Sequence, residues 1–494
     1  MSDAGPGLVL SLDIGTSSTR AALYTSQGRP VPGAESSRPQ RVHTTADGGA
    51  EMHPEEVVQR AVRCAAEAVE RAGSQARRIV GVGVCTYWHS ILGVGANGRA
   101  TTPIYLWSDT RSVAEVEALR QRLDAPAVYA RTGGPLHTSY VGPRILWIAR
   151  TQPESFRRSQ RWMSIGEYLF LRLFGEAACS HSMASGTGLF DLSRLRWDPE
   201  VLAALPIEEE QLSTPVAHSR ASVGLRPEFA RVLPNLSDVP WFPPLGDGAC
   251  SNVGSGAVSR RRVAIMVGTS GAMRVLCPTG GPTPPQGLWA YLLDERRFLL
   301  GGALSNGGNF YTWLTRTLRV GQRERLEEAL SRMEPDAHGL TVLPFLMGER
   351  SPGWRGDARA VIAGLSAHTS PQEIIRAGLE SVAYRFALIH ERLRDRLDAG
   401  PDYRVIATGG ALLYSPLWMQ IIADVLNRPV VASREKQASG RGAALMALEA
   451  LGMIRGIQSA PFAFGKVYHP DAARHARYME ALARHTALYR RLLE

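Results

Sequence analysis

Two short segments of this chain place a hydroxyl-rich turn directly after an apolar run. The first is Asp13-Ile-Gly-Thr-Ser-Ser18, closing the run that starts at Leu8; the second is Gly268-Thr-Ser270, after residues 263–267. Turns of glycine and hydroxyl residues present backbone N–H groups and O–H groups to a phosphate. A carboxylate at the strand end, Asp13, is an oxygen donor that can hold Mg²⁺ through water. One such turn is an ordinary hairpin; two that face each other could clamp a polyphosphate from both sides. Leu245-Gly-Asp-Gly-Ala249 sets Asp247 among small residues, where it is either a general base or the cap of the next helix. Thr408-Gly-Gly-Ala411 lies between a strand and a helix, and its glycines would let a flat ring or a phosphate approach the backbone. Trp88-His89 follows a strand end, where a histidine is more often structural. Asp109 in Leu106-Trp-Ser-Asp-Thr-Arg111 could do no more than cap a helix over 113–123.

The elements that position these groups follow from periodicity. Leu8–Ile14 reads as a buried strand and Arg20–Tyr24 as its returning partner. Pro54–Ala72 reads as a helix, with Pro54 in its first turn and Val58, Ala61, Val62, Ala65 and Val69 on one face. Further helices are predicted at 113–123, 143–150, 372–397, 415–427 and 440–451, and strands at 78–85, 263–267, 272–276, 297–303 and 403–407. Alternating strands and helices in both halves argue for an α/β fold with helix-covered sheets. Gly15-Thr-Ser-Ser-Thr-Arg-Ala-Ala-Leu23 and Gly268-Thr-Ser-Gly-Ala-Met-Arg-Val-Leu276 are similar in sequence and in context. Two domains of one topology, divided near Gly254–Arg262, would then face each other across a cleft.

Composition removes whole classes. The chain has 494 residues, 44% hydrophobic and 21% charged, which suits roughly two to four globular domains. No run of about 18 apolar residues is free of polar interruption, and the start of the chain, with Asp3, has no basic segment, so neither a membrane span nor a signal peptide is expected. Five cysteines without a C-x-x-C pair fit small core residues in a reducing cytosol. Lys436 and Lys466 are the only lysines, and neither ends a G-x-x-x-x-G-K-[ST] loop. The protein-kinase set of motifs is also absent. The net charge of +10 suits an anionic partner, but the arginines are scattered, which argues against nucleic acid.

Together, and in this order, the segments resemble the FGGY carbohydrate kinase family of the actin–hexokinase–Hsp70 superfamily. The resemblance spans about residues 8–451. It is carried by Asp13–Arg20, Trp107–Arg111, Pro143-Arg-Ile-Leu-Trp147, Gly246-Asp247, Gly268–Ser270, Leu346-Met-Gly-Glu-Arg-Ser-Pro352, Gly409-Gly-Ala411 and Ser415–Asp424. Within the family, Tyr87–Ser90, Thr132-Gly-Gly-Pro-Leu-His137, Ala184–Leu189, Gly268–Arg274 and Asn306-Gly-Gly308 are most similar to gluconate kinases. Three departures stand out: Arg144 replaces a usual Lys, Gly248 replaces a usual Asn or Gln, and Tyr87-Trp88 replaces smaller or Met-type residues.

The resemblance implies two ribonuclease-H-like (actin-like ATPase) domains flanking a central cleft, at 1–256 and 263–451, with a helical extension at 452–494. It implies transfer of the γ-phosphoryl of ATP to a terminal hydroxyl of a sugar or sugar acid, D-gluconate above others, with domain closure expelling water. On that basis Asp247 is the catalytic base, and Asp13 and Asp247 hold Mg²⁺ largely through water. Thr16, Ser17, Ser18, Arg20, Gly268, Thr269, Ser270, Gly308, Gly409, Gly410 and Tyr414 bind ATP. Trp88, His89, Asp109, Asp247, Arg111, His137 and Arg274 bind substrate, the last three as candidates for a carboxylate. The expected partner is a small-molecule substrate, with no nucleic acid or membrane and with homodimerisation left open. A kinase for a ketose or polyol such as xylulose or ribulose is the alternative. An actin- or Hsp70-like ATPase is less favoured because of the Asp247 base, and a catalytically dead sugar sensor because Asp13 and Asp247 are both present.

Overall fold

The computed structural model describes residues 7–278 and 283–494, so Asp3 lies outside the described residues. Strand β1 (Leu8–Ile14) pairs antiparallel with β2 (Ser18–Tyr24), which pairs with β3 (Pro30–Pro39). Helix α1 (Pro54–Ala72) follows and buries Val57, Val58, Ala61, Cys64, Ala65, Ala68 and Val69 against this hairpin. Each such valine contributes on the order of 1.5–3 kcal/mol when fully buried. Strand β4 (Ile79–Thr86) then lies parallel to β1. After a long excursion, β5 (Leu245–Gly246) lies parallel to β4, and helix α2 (Asp247–Ser255) starts at once. The resulting sheet has the order β5-β4-β1-β2-β3.

The second half repeats the plan. Strand β6 (Arg262–Val267) pairs antiparallel with β7 (Gly271–Pro278). Strands β8 (Trp289–Asp294) and β9 (Arg297–Leu304) extend that side of the sheet. Helices α3 (Gly308–Thr317) and α4 (Pro371–Leu393) precede β10 (Arg404–Thr408), which is parallel to β6. Strand β11 (Val430–Ser433) is parallel to β10 and leads into helix α5 (Ala438–Ala450). The chain then adds an edge strand, β12 (Phe464–Tyr468), before the terminal helix α6 (Ala472–Leu493). Sheet order is β8-β9-β7-β6-β10-β11-β12. Its inner five strands reproduce the first sheet, so the fold is two ribonuclease-H-like halves of the actin-like type.

Helix α5 belongs to the second half by sequence but packs on β1, β4 and α2 of the first. The approach is close enough to demand glycine. A Cβ on Gly442 would stand 1.8 Å from the carbonyl of Cys250, and one on Gly254 would stand 1.9 Å from that of Ala438. A Cβ on Gly83 would meet the Ala443 carbonyl at 2.3 Å. This seam joins the halves directly behind Asp247. All five cysteines are buried and free, and among the described residues no helix is long and apolar enough to cross a membrane.

Candidate functional site

Parallel strands bring their carboxyl ends to one edge, where open α/β sheets place their ligands. Asp13 and Cys85 are register partners on β1 and β4, and Cys85 is also paired with Leu245 of β5. Asp247, the residue after β5, therefore joins Asp13 at this edge. The Cys85 thiol donates to Asp13 Oδ1 at 3.4 Å, and the Gly248 N–H donates to Asp247 Oδ1 at 2.7 Å. Burial raises the Asp13 carboxyl above the usual range. Burial and then the negative charge of Asp13 push Asp247 up to about 6, against the pull of Arg274. Two buried carboxylates, one of which raises the proton affinity of the other, are both hard oxygen donors and fit a divalent cation held through water.

Asp247 opens onto a cavity of about 150 Å³, room for a few waters or one small ligand, with about 30 Å³ per water as a guide. Both halves line it. The first supplies Tyr87, Trp88, His89, Trp107 and Tyr140; the second supplies Ser270, Arg274, Trp289, Tyr291, Arg350 and Trp354. Trp289 and Tyr291 stack with centroids 4.3 Å apart, Trp88 lies 4.9 Å from Tyr291, and the Tyr140 and Tyr291 hydroxyls bond at 2.7 Å. Such a wall suits the C–H face of a sugar while its polar rim meets hydroxyls.

Two departures of the sequence prove to be one packing event. The Trp88 indole fills the space above three glycines. A Cβ on Gly246 would lie 1.9 Å from it, one on Gly186 2.5 Å and one on Gly248 2.8 Å. A bulky residue at 88 thus requires glycine at 248. The Trp88 N–H donates to the Ser182 carbonyl at 2.9 Å and so is not free for the sugar hydroxyl expected of it, while the residue lines the cavity. His89 Nδ1 is bonded to the Gly186 carbonyl and so carries the proton, leaving Nε2 as an acceptor for a hydroxyl. Burial lowers His89 to about 3, so it stays neutral. Its φ of 61° is held by Arg144, which is buried and donates to the carbonyls of His89, Tyr105, Thr138 and Ser139.

Three other predicted substrate groups sit elsewhere. Asp109 accepts from the Ala50 N–H at 3.1 Å and from Arg111 Nη2 at 2.6 Å, and Ser112, not Asp109, stands at the N-cap of the following helix. Arg111 also binds Glu51 at 2.5 Å and lies 4.2 Å over the Trp147 ring. The pair is closed on itself and lines no part of the cavity. His137 packs 5.2 Å from Trp354, behind the wall, and burial followed by the charges of Arg350 and other arginines lowers it to about 3. A neutral imidazole gives a carboxylate no charge. Of the three cation candidates only Arg274 faces the cavity; it is buried, lowered to about 10 by desolvation, and donates to the Gly248 carbonyl at 2.9 Å.

A second cavity, about 490 Å³, opens beside the second hairpin. Gly268, Thr269, Gly308 and Ala411 line it. Gly308 donates to the Gly268 carbonyl at 2.9 Å and Asn309 to that of Thr269 at 3.0 Å, which ties the start of α3 to the hairpin. A Cβ at Gly308 would lie 2.4 Å from the Gly268 carbonyl. Gly409, at φ +89°, would drive a Cβ to 2.3 Å from the Val267 carbonyl. Gly410 adjoins the exposed ring of Tyr414, which lies outside this cavity's wall with Arg323 5.7 Å above it. Asn309, Thr312, Trp313 and Arg316 complete the lining. They recur at three- and four-residue steps, one face of α3, a spacing visible in the sequence that had carried no role.

Thr16, Ser17, Ser18 and Arg20 line neither cavity. The first turn is fixed instead by Gly15 N–H to Ser18 O at 3.0 Å and by Gln40, whose Nε2 donates to the Gly15 carbonyl at 2.7 Å. Arg20 faces Asp13 across the strand pair. Alanine at Thr16 or Thr269 is expected to raise the KM for ATP or lower kcat. Because both would meet one polyphosphate, their effects should couple in a double-mutant cycle. Strict additivity would place the two turns at separate ligands.

The sequence matches the family model described as the FGGY family of carbohydrate kinases, N-terminal domain, over residues 8–254 and its C-terminal domain over 263–451. It is 30% identical to a gluconokinase of Bacillus subtilis over 471 residues, 93% of this chain and 91% of the relative. It is 27% identical to a xylulose kinase of Escherichia coli over 502 residues, 98% of this chain and 99% of the relative. Among solved structures, a xylulose kinase and a gluconate kinase, both from Lactobacillus acidophilus, superpose with TM-scores of 0.91 and 0.90 at 27% identity, each covering 98% of both chains. With two repeated sheets, a paired-carboxylate edge and a hairpin-lined second cavity already in place, these matches show that the chain belongs to the FGGY family of carbohydrate kinases.

Proposed function

We propose that this kinase transfers the γ-phosphoryl of ATP to the terminal hydroxyl of a sugar acid, D-gluconate, giving 6-phosphogluconate and ADP. The observation that carries the acid is the charge of the small cavity, whose lining holds two guanidiniums, Arg274 and Arg350, and one carboxylate, Asp247. A desolvated cation without a protein partner favours an anionic ligand. The gluconokinase relative supports the same choice. In the reaction Asp247 accepts the proton of the terminal hydroxyl as its oxygen attacks the γ-phosphorus and the bond to the ADP oxygen breaks. The cavity at Gly268, Gly308 and α3 would take the nucleotide, with the Thr16–Ser18 turn approaching the phosphates from the other half. Asp13 and Asp247 would hold Mg²⁺ through water, and the ion supplies neutralisation of phosphate charge. Five buried free thiols suit a reducing compartment, the cytoplasm. A ketose kinase is the second reading, favoured by the xylulose kinase relatives.

A coupled ADP assay with D-gluconate, D-xylulose, D-ribulose and glycerol tests the acceptor. The expected kcat/KM for gluconate exceeds that for each neutral acceptor at least tenfold, about 1.4 kcal/mol in transition-state binding. A site built for a charge rejects the uncharged analogue because its own groups are left unpaired. A ketose that wins this comparison overturns the sugar-acid reading and leaves the family and Asp247 untouched.

A further inference from the structure

Arg350 is a cavity cation that the sequence motif contains but no role accounts for. It sits between α3 and α4, in the loop Leu346-Met-Gly-Glu-Arg-Ser-Pro352 that follows a short strand at Thr341–Leu343. That loop is anchored on both sides. Asn306 donates to the Gly348 carbonyl at 3.0 Å and accepts from the Met347 N–H at 3.2 Å. Ser351 and Ala303 exchange bonds at 2.9 and 3.1 Å. The Trp354 indole, from a residue at φ +55°, donates to the Gly287 carbonyl at 2.9 Å. The guanidinium is thus held on a built platform and faces the cavity, 4.9 Å over the Trp107 ring.

Its neighbours do not neutralise it. The adjacent carboxylate, Glu349, turns away: it is paired with Arg385 in the interior and accepts from the Tyr489 hydroxyl at 2.7 Å and the Gly353 N–H at 3.1 Å. Among the described residues Arg350 makes no ion pair, and its buried Nε has no hydrogen-bond partner. Its positive charge depresses the proton affinity of His89, His137 and Arg274 alike, so the cavity it faces is cationic. The two arginines have different neighbours. Arg274 is bonded to Gly248 and pulls on Asp247, the end where the hydroxyl reacts. Arg350 stands over Trp107 in the part of the lining that includes Tyr140, Tyr291 and Trp354.

We infer that Arg350 is the specificity-determining residue that receives the substrate's carboxylate, while Arg274 serves the reacting end. The inference rests on the sugar-acid reading and assigns its recognition to one side chain. A guanidinium fork matches a carboxylate with two parallel N–H···O bonds, which an ammonium cannot reproduce. Placing the carboxylate on Arg350 directs the opposite end of an extended sugar acid toward Asp247. The terminal hydroxyl then becomes the acceptor by length as well as by chemistry.

Calorimetric titration without ATP tests this, using D-gluconate and D-glucitol, which replaces the carboxylate with a neutral alcohol. The wild type should bind gluconate at least 100-fold more tightly than glucitol. Arg350→Met should weaken gluconate at least 30-fold and erase most of that preference, and Arg350→Lys should fall between. Thermal melts of the unliganded proteins give an independent readout. Removing an unpartnered buried cation should leave Tm unchanged or raise it. Gluconate bound by Arg350→Met within threefold of wild type overturns the assignment and leaves the sugar-acid reading standing. A marked loss of Tm in both variants also overturns it, since Arg350 would then be structural. A wild type that binds glucitol as well as gluconate sinks the sugar-acid reading and the assignment together.

Discussion

Replacing Asp247 with Asn should lower kcat by about 10²–10⁴-fold, the range for loss of a general base, while nucleotide still binds. Asn keeps the shape of the side chain and the contact with the Gly248 N–H has an oxygen to accept it, so the loss isolates the proton transfer. The same carboxylate sets a pH profile. It must be ionised to accept a proton, and burial together with Asp13 holds it at about 6. In the free enzyme kcat/KM should therefore rise with pH through about 6 and level off above it. The stability consequence has the opposite sign. A carboxyl raised from 3.8 to about 6 on folding ionises less readily in the folded chain. Its ionised form opposes folding above pH 6, by about 3 kcal/mol, and the cost fades as pH falls toward 4. Asp247→Asn should thus raise the apoprotein's Tm at pH 8 and lose that advantage near pH 4. Near-wild-type turnover, or a Tm that falls at pH 8, would contradict the assignment.

The second large effect is at the seam between α2 and α5. Gly254→Ala and Gly442→Ala each put a Cβ under 2 Å from a backbone carbonyl. Neither neighbour is a flexible side-chain end, so the helices must separate. Overpacking of this kind costs about 1–3 kcal/mol per site, with more where backbone must move. Both changes should lower Tm by several degrees in calorimetry. Because α2 begins at Asp247, both should also lower kcat by more than the stability loss alone explains at a temperature where the protein is folded. The pair should be far from additive, since one separation relieves both clashes. A Tm within a degree of wild type in either single variant would show that the seam is looser than its geometry.

The sequence revealed what is local. An apolar run ending in Asp13 or Val267, followed by a Gly-Thr-Ser turn, specifies a hairpin from nearest-neighbour chemistry, and both hairpins form. Helix α1 spans Pro54–Ala72, because its proline start and apolar period are continuous. The predicted helix at 372–397 ends at Leu393 and continues as a short 3-10 turn, since Arg394–Arg396 have no apolar face to bury. What lay beyond reach is set by distance along the chain. Helix α5 covers the first sheet from more than 350 residues away, and nothing in Gly440-Arg-Gly442 names Cys250 as its neighbour. Asp109 and Arg111 looked like ligands because their types suit hydroxyls and carboxylates, yet they are two residues apart and satisfy each other. His137 looked cationic until burial beside arginines made it neutral. Arg350 stood in a quoted motif, but its lack of a partner becomes visible only when Glu349 is seen to turn inward toward Arg385.

The most direct test of phosphoryl transfer to a sugar acid follows ADP and ³¹P together. ATP, Mg²⁺ and D-gluconate are incubated with the wild-type protein, beside a control without acceptor. Phosphate-monoester signal coupled to the C6 protons should grow in step with ADP, and ADP in the control should be negligible. ADP that accumulates at the same rate without gluconate, matched by inorganic phosphate, would contradict the account.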